Sequence, residues 1–173
     1  MLSFSRRSDV PKVNGDWWSD TFSIDERAAI EEAFKPMGDI SAEALAGSTD
    51  PSSIGYLVGH LKKERLRHLG YKLLARADQL VNENVPVLSL HLFWSARGYF
   101  FYRWRDVDAF ALDETIVSFQ RQIALAENAL EVFRDSKNWD FVPAHAGYRQ
   151  LRIIEEKRGN LTLARALCER AKA

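Results

Sequence analysis

This chain has little cysteine, no long apolar run and no net charge. The one cysteine, Cys168, cannot form an internal disulfide, so we expect a reducing compartment and a cytoplasmic protein. No uninterrupted apolar stretch approaches the roughly 20 residues that a membrane helix needs. The 24 basic and 24 acidic side chains cancel, so the totals predict neither a nucleic-acid partner nor a membrane.

The motifs that mark common enzyme classes are absent as well. We find no phosphate-binding glycine loop, no serine-nucleophile elbow and no spaced set of metal-binding cysteines. We therefore name no catalytic residue, no metal site and no cofactor. The sequence leans toward a non-enzymatic protein and leaves catalytic activity open.

What the chain does contain is a helical core. Hydrophobic residues make up 46% of its 173 residues, with five tryptophans and ten phenylalanines, which suits one globular domain spanning residues 1–173. Apolar residues recur at helical spacing and no segment alternates as a strand does. The predicted class is all-α, with about seven helices arranged in antiparallel pairs.

Two helix starts are well marked near the N-terminus. Residues 1–22 read as an irregular lead-in whose apolar side chains Trp17, Trp18 and Phe22 dock on the body. Ser23 and Glu26 then form a capping box, in which each side chain bonds the other residue's backbone. The dipeptide at 50–51, aspartate followed by proline, begins another helix.

Three longer segments follow with helical periodicity. The helix from residue 51 is expected to break at 62–64, since its apolar stripe resumes at Leu66. The segment 86–105 carries aromatics and leucines on nearly all sides, which predicts a central helix. A single helix is then expected from Asp113, its N-cap, to Phe133.

The terminal segment carries a recognisable pattern of large, turn and small residues. Tyr148 and Leu151 lie on a first helix, Gly159-Asn160 forms a turn, and Ala164, Cys168 and Ala171 lie on a second helix. This pattern resembles a tetratricopeptide repeat, a pair of antiparallel helices. Upstream, Trp94, Gly98 and Phe101 match the first helix of another repeat, so residues 86–173 form a tetratricopeptide-like half.

A second resemblance concerns the layout of the chain. The segment Asp16-Trp17-Trp18 precedes a helix with Glu26-Arg27, and His145–Tyr148 leads to Glu156–Gly159. In this the chain is similar to a group of uncharacterised all-helical bacterial proteins of unknown function. That resemblance implies no activity.

The tetratricopeptide resemblance implies a binding surface. Such arrays bind extended peptides in a concave groove lined by their first helices. Carried over to this chain, the groove-facing residues are Tyr99, Tyr102, Arg103, Arg149, Glu156 and Lys157. We therefore expect a protein-interaction or scaffold module whose partner is a protein or peptide, a second copy of the chain included.

Two alternatives to that groove remain open. Tyr99 and Tyr102 could instead pack against the N-terminal segment, with Trp17 or Trp18 filling the groove. The rival function is a small enzyme or ligand-binding helical bundle. Its pocket would be lined by His91, Trp94, Tyr99 and Tyr102.

Three further features have a functional and a structural interpretation. His60, Glu64 and His68 would share one face of an unbroken helix and could hold a divalent metal, or form an exposed stripe. Cys168 could be a nucleophile with His145 as its base, but its position between alanines favours a buried, inert thiol. The basic region 62–76 favours a solvated outer surface over nucleic-acid binding.

Overall fold

A computed structural model of the chain describes residues 17–35, 40–135 and 145–172. These residues form ten α-helices and no strand, so the all-α prediction is confirmed. The helices are α1 (Trp17–Thr21), α2 (Ile24–Phe34), α3 (Ala42–Ala46), α4 (Pro51–His60), α5 (Arg67–Leu80), α6 (Val87–Trp104), α7 (Ala111–Ala124), α8 (Ala126–Asp135), α9 (Ala146–Lys157) and α10 (Leu161–Arg170).

The two predicted helix starts are both present. At α2 the Ser23 hydroxyl accepts from the Glu26 amide (3.2 Å), and the Glu26 carboxylate accepts from the Ser23 amide (2.8 Å). At α4 the Asp50 carboxylate accepts from the Ser52 amide (2.9 Å), with Pro51 in the first turn. These bonds satisfy amides that have no partner within the helix.

The lead-in is more ordered than predicted, because residues 17–21 form the short helix α1. Residues 1–16, the rest of the predicted lead-in, lie outside the described part. Trp18 and Phe22 are buried and join the core, which confirms that this segment docks. The Lys72 ammonium lies 5.3 Å from the centre of the Phe22 ring, over its face.

Between α4 and α5 the chain breaks where the sequence indicated. Helix α4 ends at His60, a 3₁₀ turn covers Glu64–Leu66, and α5 starts at Arg67. The aliphatic side chains of α4 before the break are buried, and so are Leu66, Leu69, Leu73 and Ala77 after it. The break therefore divides His60, Glu64 and His68, the candidate metal ligands of an unbroken helix, between separate elements.

Helix α6 is central, as its aromatic composition predicted. Three glycines, one each on α4, α5 and α6, allow α6 to pack closely against α4, α5 and α7. A Cβ on Gly70 of α5 would overlap the Phe100 ring, and one on Gly98 would lie 2.8 Å from the Phe119 ring. A Cβ on Gly55 of α4 would lie 3.2 Å from Ala96.

A buried arginine joins three of these helices. Arg97 of α6 is 8% exposed and binds Asp78 of α5 (3.1 Å) and Glu114 of α7 (2.7 Å). It also donates to the Ser118 hydroxyl (2.7 Å). Its charge is paired on both sides, as a buried cation requires.

The contacts fix the relative direction of the helices. Near the starts of α4 and α6, the Ser89 hydroxyl donates to the Asp50 carboxylate (3.2 Å). Further along both helices, Gly55 faces Phe93 and Ala96. Helices α4 and α6 therefore run parallel. In α6 and α7 the order of contacts is reversed, since His91 meets Gln122 and Arg97 meets Ser118, so these two helices are antiparallel.

The predicted helix from Asp113 to Phe133 is wrong in two respects. It begins at Ala111, with Phe110 as N-cap, so Asp113 lies inside the first turn, where its carboxylate suits the helix dipole. It is also divided at Leu125, whose amide bonds the Gln122 carbonyl (3.2 Å) as in a 3₁₀ turn. This division and the short helices α1 and α3 bring the helix count of the described residues from the predicted seven to ten.

The terminal hairpin turns at the predicted glycine. Gly159 has φ +79°, the left-handed conformation that glycine adopts most readily, and Asn160 follows as N-cap of α10. Glu155 is buried, and its carboxylate accepts from the Asn160 side chain (2.6 Å), which offsets the loss of water. Arg170 lies over the Tyr148 ring, so the two helices are antiparallel.

The prediction that Cys168 is buried is wrong. The inward stripe of α10 consists of Ala164 and Leu167, which are 3% and 6% exposed. Cys168 is one residue, or about 100° of helix rotation, beyond Leu167, and it is exposed. Ala171 is exposed as well.

Candidate functional site

The central helix α6 also presents a strip that is exposed at Leu92 and Tyr99 and part-buried at Arg103. Leu92 and Tyr99 of α6 are 39% and 40% exposed, although the neighbouring Phe93, Trp94 and Phe100 are buried. Leu92, Tyr99 and Arg103 recur at seven- and four-residue intervals, so they lie along one side of the helix. We call these three residues the α6 strip.

The strip lies between two flanking helices. On one side of it α6 packs against α4, where Gly55 faces Ala96. On the other side α6 packs against the start of α9, where the His91 and His145 rings are 4.9 Å apart. Near the other end of both helices, Tyr102 and Lys157 line one cleft, so α6 and α9 run parallel.

Arg103 has an unusual environment for a cation. It is part-buried, and its Nη1 atom, like that of Arg67, is fully buried without a hydrogen-bond partner in the described part of the chain, but unlike Arg67 it forms no ion pair there through another atom. This burial lowers the pKa of Arg103. Every other buried or part-buried arginine of the described residues has a hydrogen-bond or ion-pair partner; these are Arg27, Arg67, Arg76, Arg97, Arg105 and Arg152.

The six predicted groove residues fall into three pairs. Tyr99 and Arg103 share the α6 strip. Tyr102 and Lys157 line a cleft of about 210 Å³ with Leu112 and Ile154. Arg149 and Glu156 are exposed on α9, two turns apart, and Glu156 is paired with Arg152 of its own helix.

The N-terminal tryptophans lie elsewhere. Trp17 contacts the Phe22 ring and the Arg76 guanidinium, whereas the Tyr99 ring packs on Phe119. Trp18 belongs to the core cluster of the N-terminal helices. In the described residues, the exposed face of Tyr99 is therefore not covered by these side chains.

The four residues of the alternative pocket have different surroundings. His91 faces Gln122 and His145, and Trp94 lies beneath the guanidinium groups of Arg97 and Arg121. Tyr99 is on the α6 strip. Tyr102 lies in the cleft with Lys157, its ring 4.1 Å from the Arg105 guanidinium.

A buried polar cluster joins α6, α7 and the start of α9. The Gln122 amide donates to His91 Nε2 (3.2 Å), and the rings of His91 and His145 pack edge to face. Burial lowers the pKa of His91 to about 4 and also lowers that of His145. Sequence reasoning did not find this cluster, because the three residues come from distant segments with no shared motif.

The cluster predicts a pH dependence of stability. His91 takes up a proton near pH 6.5 when unfolded but only near about 4 when folded, so the unfolded state binds more protons in between. Unfolding free energy should therefore fall as pH falls from about 7 to about 5, by about 2 kcal/mol from this group. Urea denaturation at the two pH values measures the difference.

The control for that prediction is His91→Gln, which keeps a polar side chain but does not titrate. Its loss of stability between the two pH values should be smaller than that of the wild type by about 2 kcal/mol. An equal loss in both proteins would show that other groups cause the acid sensitivity. His60, whose pKa burial also lowers, is common to both proteins and cancels in the comparison.

The three residues considered as candidate metal ligands do not come together. His60 packs against the rings of Phe34 and Tyr56, while His68 lies 3.4 Å from Glu26. Across the described ranges, no group of three His, Cys, Asp or Glu side chains could hold a metal ion.

The basic region 62–76 is largely engaged with the protein itself. Lys72 binds Glu26 (3.0 Å), Arg67 binds Asp108 (3.3 Å), and Arg65 lies 3.9 Å from Glu32. These contacts agree with the interpretation as a solvated outer surface.

Within residues 17–35, 40–135 and 145–172, no helix has the length and apolar character needed to cross a membrane. No protein-family model, no curated protein and no solved structure matches the chain. The geometry of the α6 strip therefore carries the functional argument alone.

Proposed function

We propose that the chain is a non-enzymatic protein-interaction module that binds an extended peptide segment of its partner along the α6 strip. The observation that carries this proposal is the exposure of Leu92 and Tyr99 on a helix whose other large side chains are mostly buried. Apolar and aromatic side chains between two flanking helices are typical anchors for a peptide.

The arrangement of the helices supports a tetratricopeptide-like architecture for residues 86–173. Helix α6 pairs with α7 and α9 pairs with α10, each pair being antiparallel, and α6 and α9 run parallel. Parallel first helices line the groove in arrays of this kind. Helix α4, which is parallel to α6, supplies the second flank. The cytoplasmic location also remains part of this proposal, on the basis of the single cysteine.

The proposal is tested with the double variant Leu92→Ser and Tyr99→Ser. Proteins captured by the tagged wild type are identified, purified and titrated directly against both forms. We expect Kd to rise about tenfold or more in the double variant, because apolar anchors dominate binding energy. Light scattering of the wild type reports whether a second copy is the partner.

The matched control is Val132→Ser, which changes a 38% exposed apolar residue on α8. It should leave Kd within about twofold, since surface changes outside an interface have small effects. Equal affinity of wild type and double variant for every captured partner would disprove binding at the strip.

A further inference from the structure

We propose that the partner segment is acidic and that one of its aspartate or glutamate carboxylates binds the Arg103 guanidinium. This inference rests on the proposed function and specifies the chemistry of the partner. It begins from the end of the α6 strip, where the guanidinium has no acceptor of its own in the described residues.

A desolvated guanidinium without an acceptor is costly, and proteins rarely leave one unpaired. The other buried or part-buried arginines of the described residues follow that rule, each with a partner within 3.5 Å. Arg103 is the exception among these arginines, and it lies one helical turn from the exposed Tyr99. A carboxylate from outside the chain cannot reach the buried Nη1 atom, but it can accept hydrogen bonds from the guanidinium nitrogens that are not fully buried and so pair the charge.

The flank formed by α9 has the same charge. Arg149 and Lys157 are exposed and make no ion pair among the described residues, while the nearby Glu156 is held by Arg152. Several cations along one face fit a segment with more than one carboxylate better than a single C-terminal carboxylate.

The N-terminal segment of the chain has the wrong charge for this role. Residues 1–16 carry Arg6, Arg7 and Lys12 against Asp9 and Asp16. The occupant is therefore expected to be a separate acidic protein or peptide.

The spacing of the strip defines a sequence pattern for that segment. At 1.5 Å per residue, Leu92 and Tyr99 are about 10 Å apart along the helix, and Tyr99 and Arg103 about 6 Å apart. An extended peptide covers these distances in about three and about two residues. Side chains of an extended peptide face the same side only at every second residue. The pattern is therefore an apolar residue, a second apolar residue two or four positions away, and an acidic residue two positions beyond, read in either chain direction.

The test uses an array of fluorescein-labelled octapeptides that carry this pattern with varied remaining residues. The peptides that bind the wild type are resynthesised with the acidic residue changed to its amide, Asp to Asn or Glu to Gln. Both forms are titrated against the wild type, Arg103→Met and Arg134→Gln. Arg134 is the matched control, an exposed arginine of α8.

We expect the amide peptide to bind the wild type about tenfold more weakly than the carboxylate peptide. In Arg103→Met the two peptides should bind alike, and in Arg134→Gln the tenfold difference should persist. Free Arg103→Met should unfold at or above the wild-type temperature, since the substitution removes no internal bond. A marked decrease in Tm would instead assign Arg103 a role in folding and overturn the inference.

Other outcomes separate this inference from the proposed function. If peptides bind at the strip with no preference for the acid, the acidic partner is wrong but the module is not. If no peptide or captured protein distinguishes the wild type from the Leu92→Ser, Tyr99→Ser variant, the proposed function fails. Binding of a twelve-residue oligothymidylate that is lost in Arg103→Met would replace the carboxylate with phosphate. A concentration-dependent dimer lost in that variant would make a second copy the occupant.

Discussion

Replacing Arg97 with methionine should lower the free energy of unfolding by about 3 kcal/mol. Methionine preserves much of the apolar stem but removes the cation that lies between Asp78 and Glu114. Truncating one member of a buried ion pair costs about 3–5 kcal/mol. The lower end applies because the two carboxylates are 38% and 39% exposed, so water replaces part of the lost interaction. The midpoint of urea denaturation measures the loss.

The control is Arg121→Met, because Arg121 lies over the same Trp94 ring, 4.6 Å from its centre, but is itself exposed. Its cost should stay within about 0.5 kcal/mol. Arg97→Lys should fall between the two, since an ammonium keeps the charge but cannot contact both carboxylates and Ser118 as the guanidinium does. Equal midpoints for Arg97→Met and the wild type would mean that the three-helix network contributes nothing.

Arg97 also illustrates which parts of the fold the sequence could predict. The capping box at Ser23 and the glycine turn at 159 follow from residues a few positions apart, and both were predicted. The partners of Arg97 lie 19 and 17 residues away on other helices. No periodicity indicates such a network, because it depends on how the helices pack.

The errors share that physical origin. An apolar stripe runs from Phe119 to Phe133 without interruption, so its spacing could not show that the backbone tightens at Leu125. The prediction that Cys168 is buried failed because the inward face of α10 carries Leu167, one residue before the position that the sequence pattern had placed inside. Local pattern determined the helices, and tertiary contacts determined their limits and faces.

The candidate site was predicted in part for the same reason. The tetratricopeptide resemblance assigned Tyr99 and Arg103 to one groove, and their four-residue spacing is consistent with a common helix face. Their exposure between α4 and α9, and the missing acceptor of Arg103, depend on three helices that are distant in sequence. The contact between the buried His91 and the part-buried His145 became apparent only from the packing of α9 on α6.

Replacing Phe119 with alanine should cost about 3–5 kcal/mol, the range for removing a large ring from a tightly packed core. The side chain is completely buried and lies over Gly98 of α6. Its own carbonyl oxygen would be 2.9 Å from a Cβ on Gly147, so α7 is in close contact with α9 at the same residue. Loss of the ring should therefore loosen the contact with α6, whereas the backbone contact with α9 does not involve the ring. Thermal and urea unfolding followed by circular dichroism measure the effect.

A double-mutant cycle tests whether the ring itself forces Gly98 to be a glycine. Gly98→Ala should cost about 1–3 kcal/mol in the wild type, because the new Cβ would lie 2.8 Å from the Cε1 and Cζ atoms of the ring. Leucine at 119 lacks those atoms, so the same change in Phe119→Leu should cost about 1 kcal/mol less. Gly59→Ala is the control, since a Cβ there meets nothing within 4 Å, and it should be neutral or stabilising. Equal costs of Gly98→Ala in both backgrounds would show that close helix approach, and not the Phe119 ring, requires the glycine.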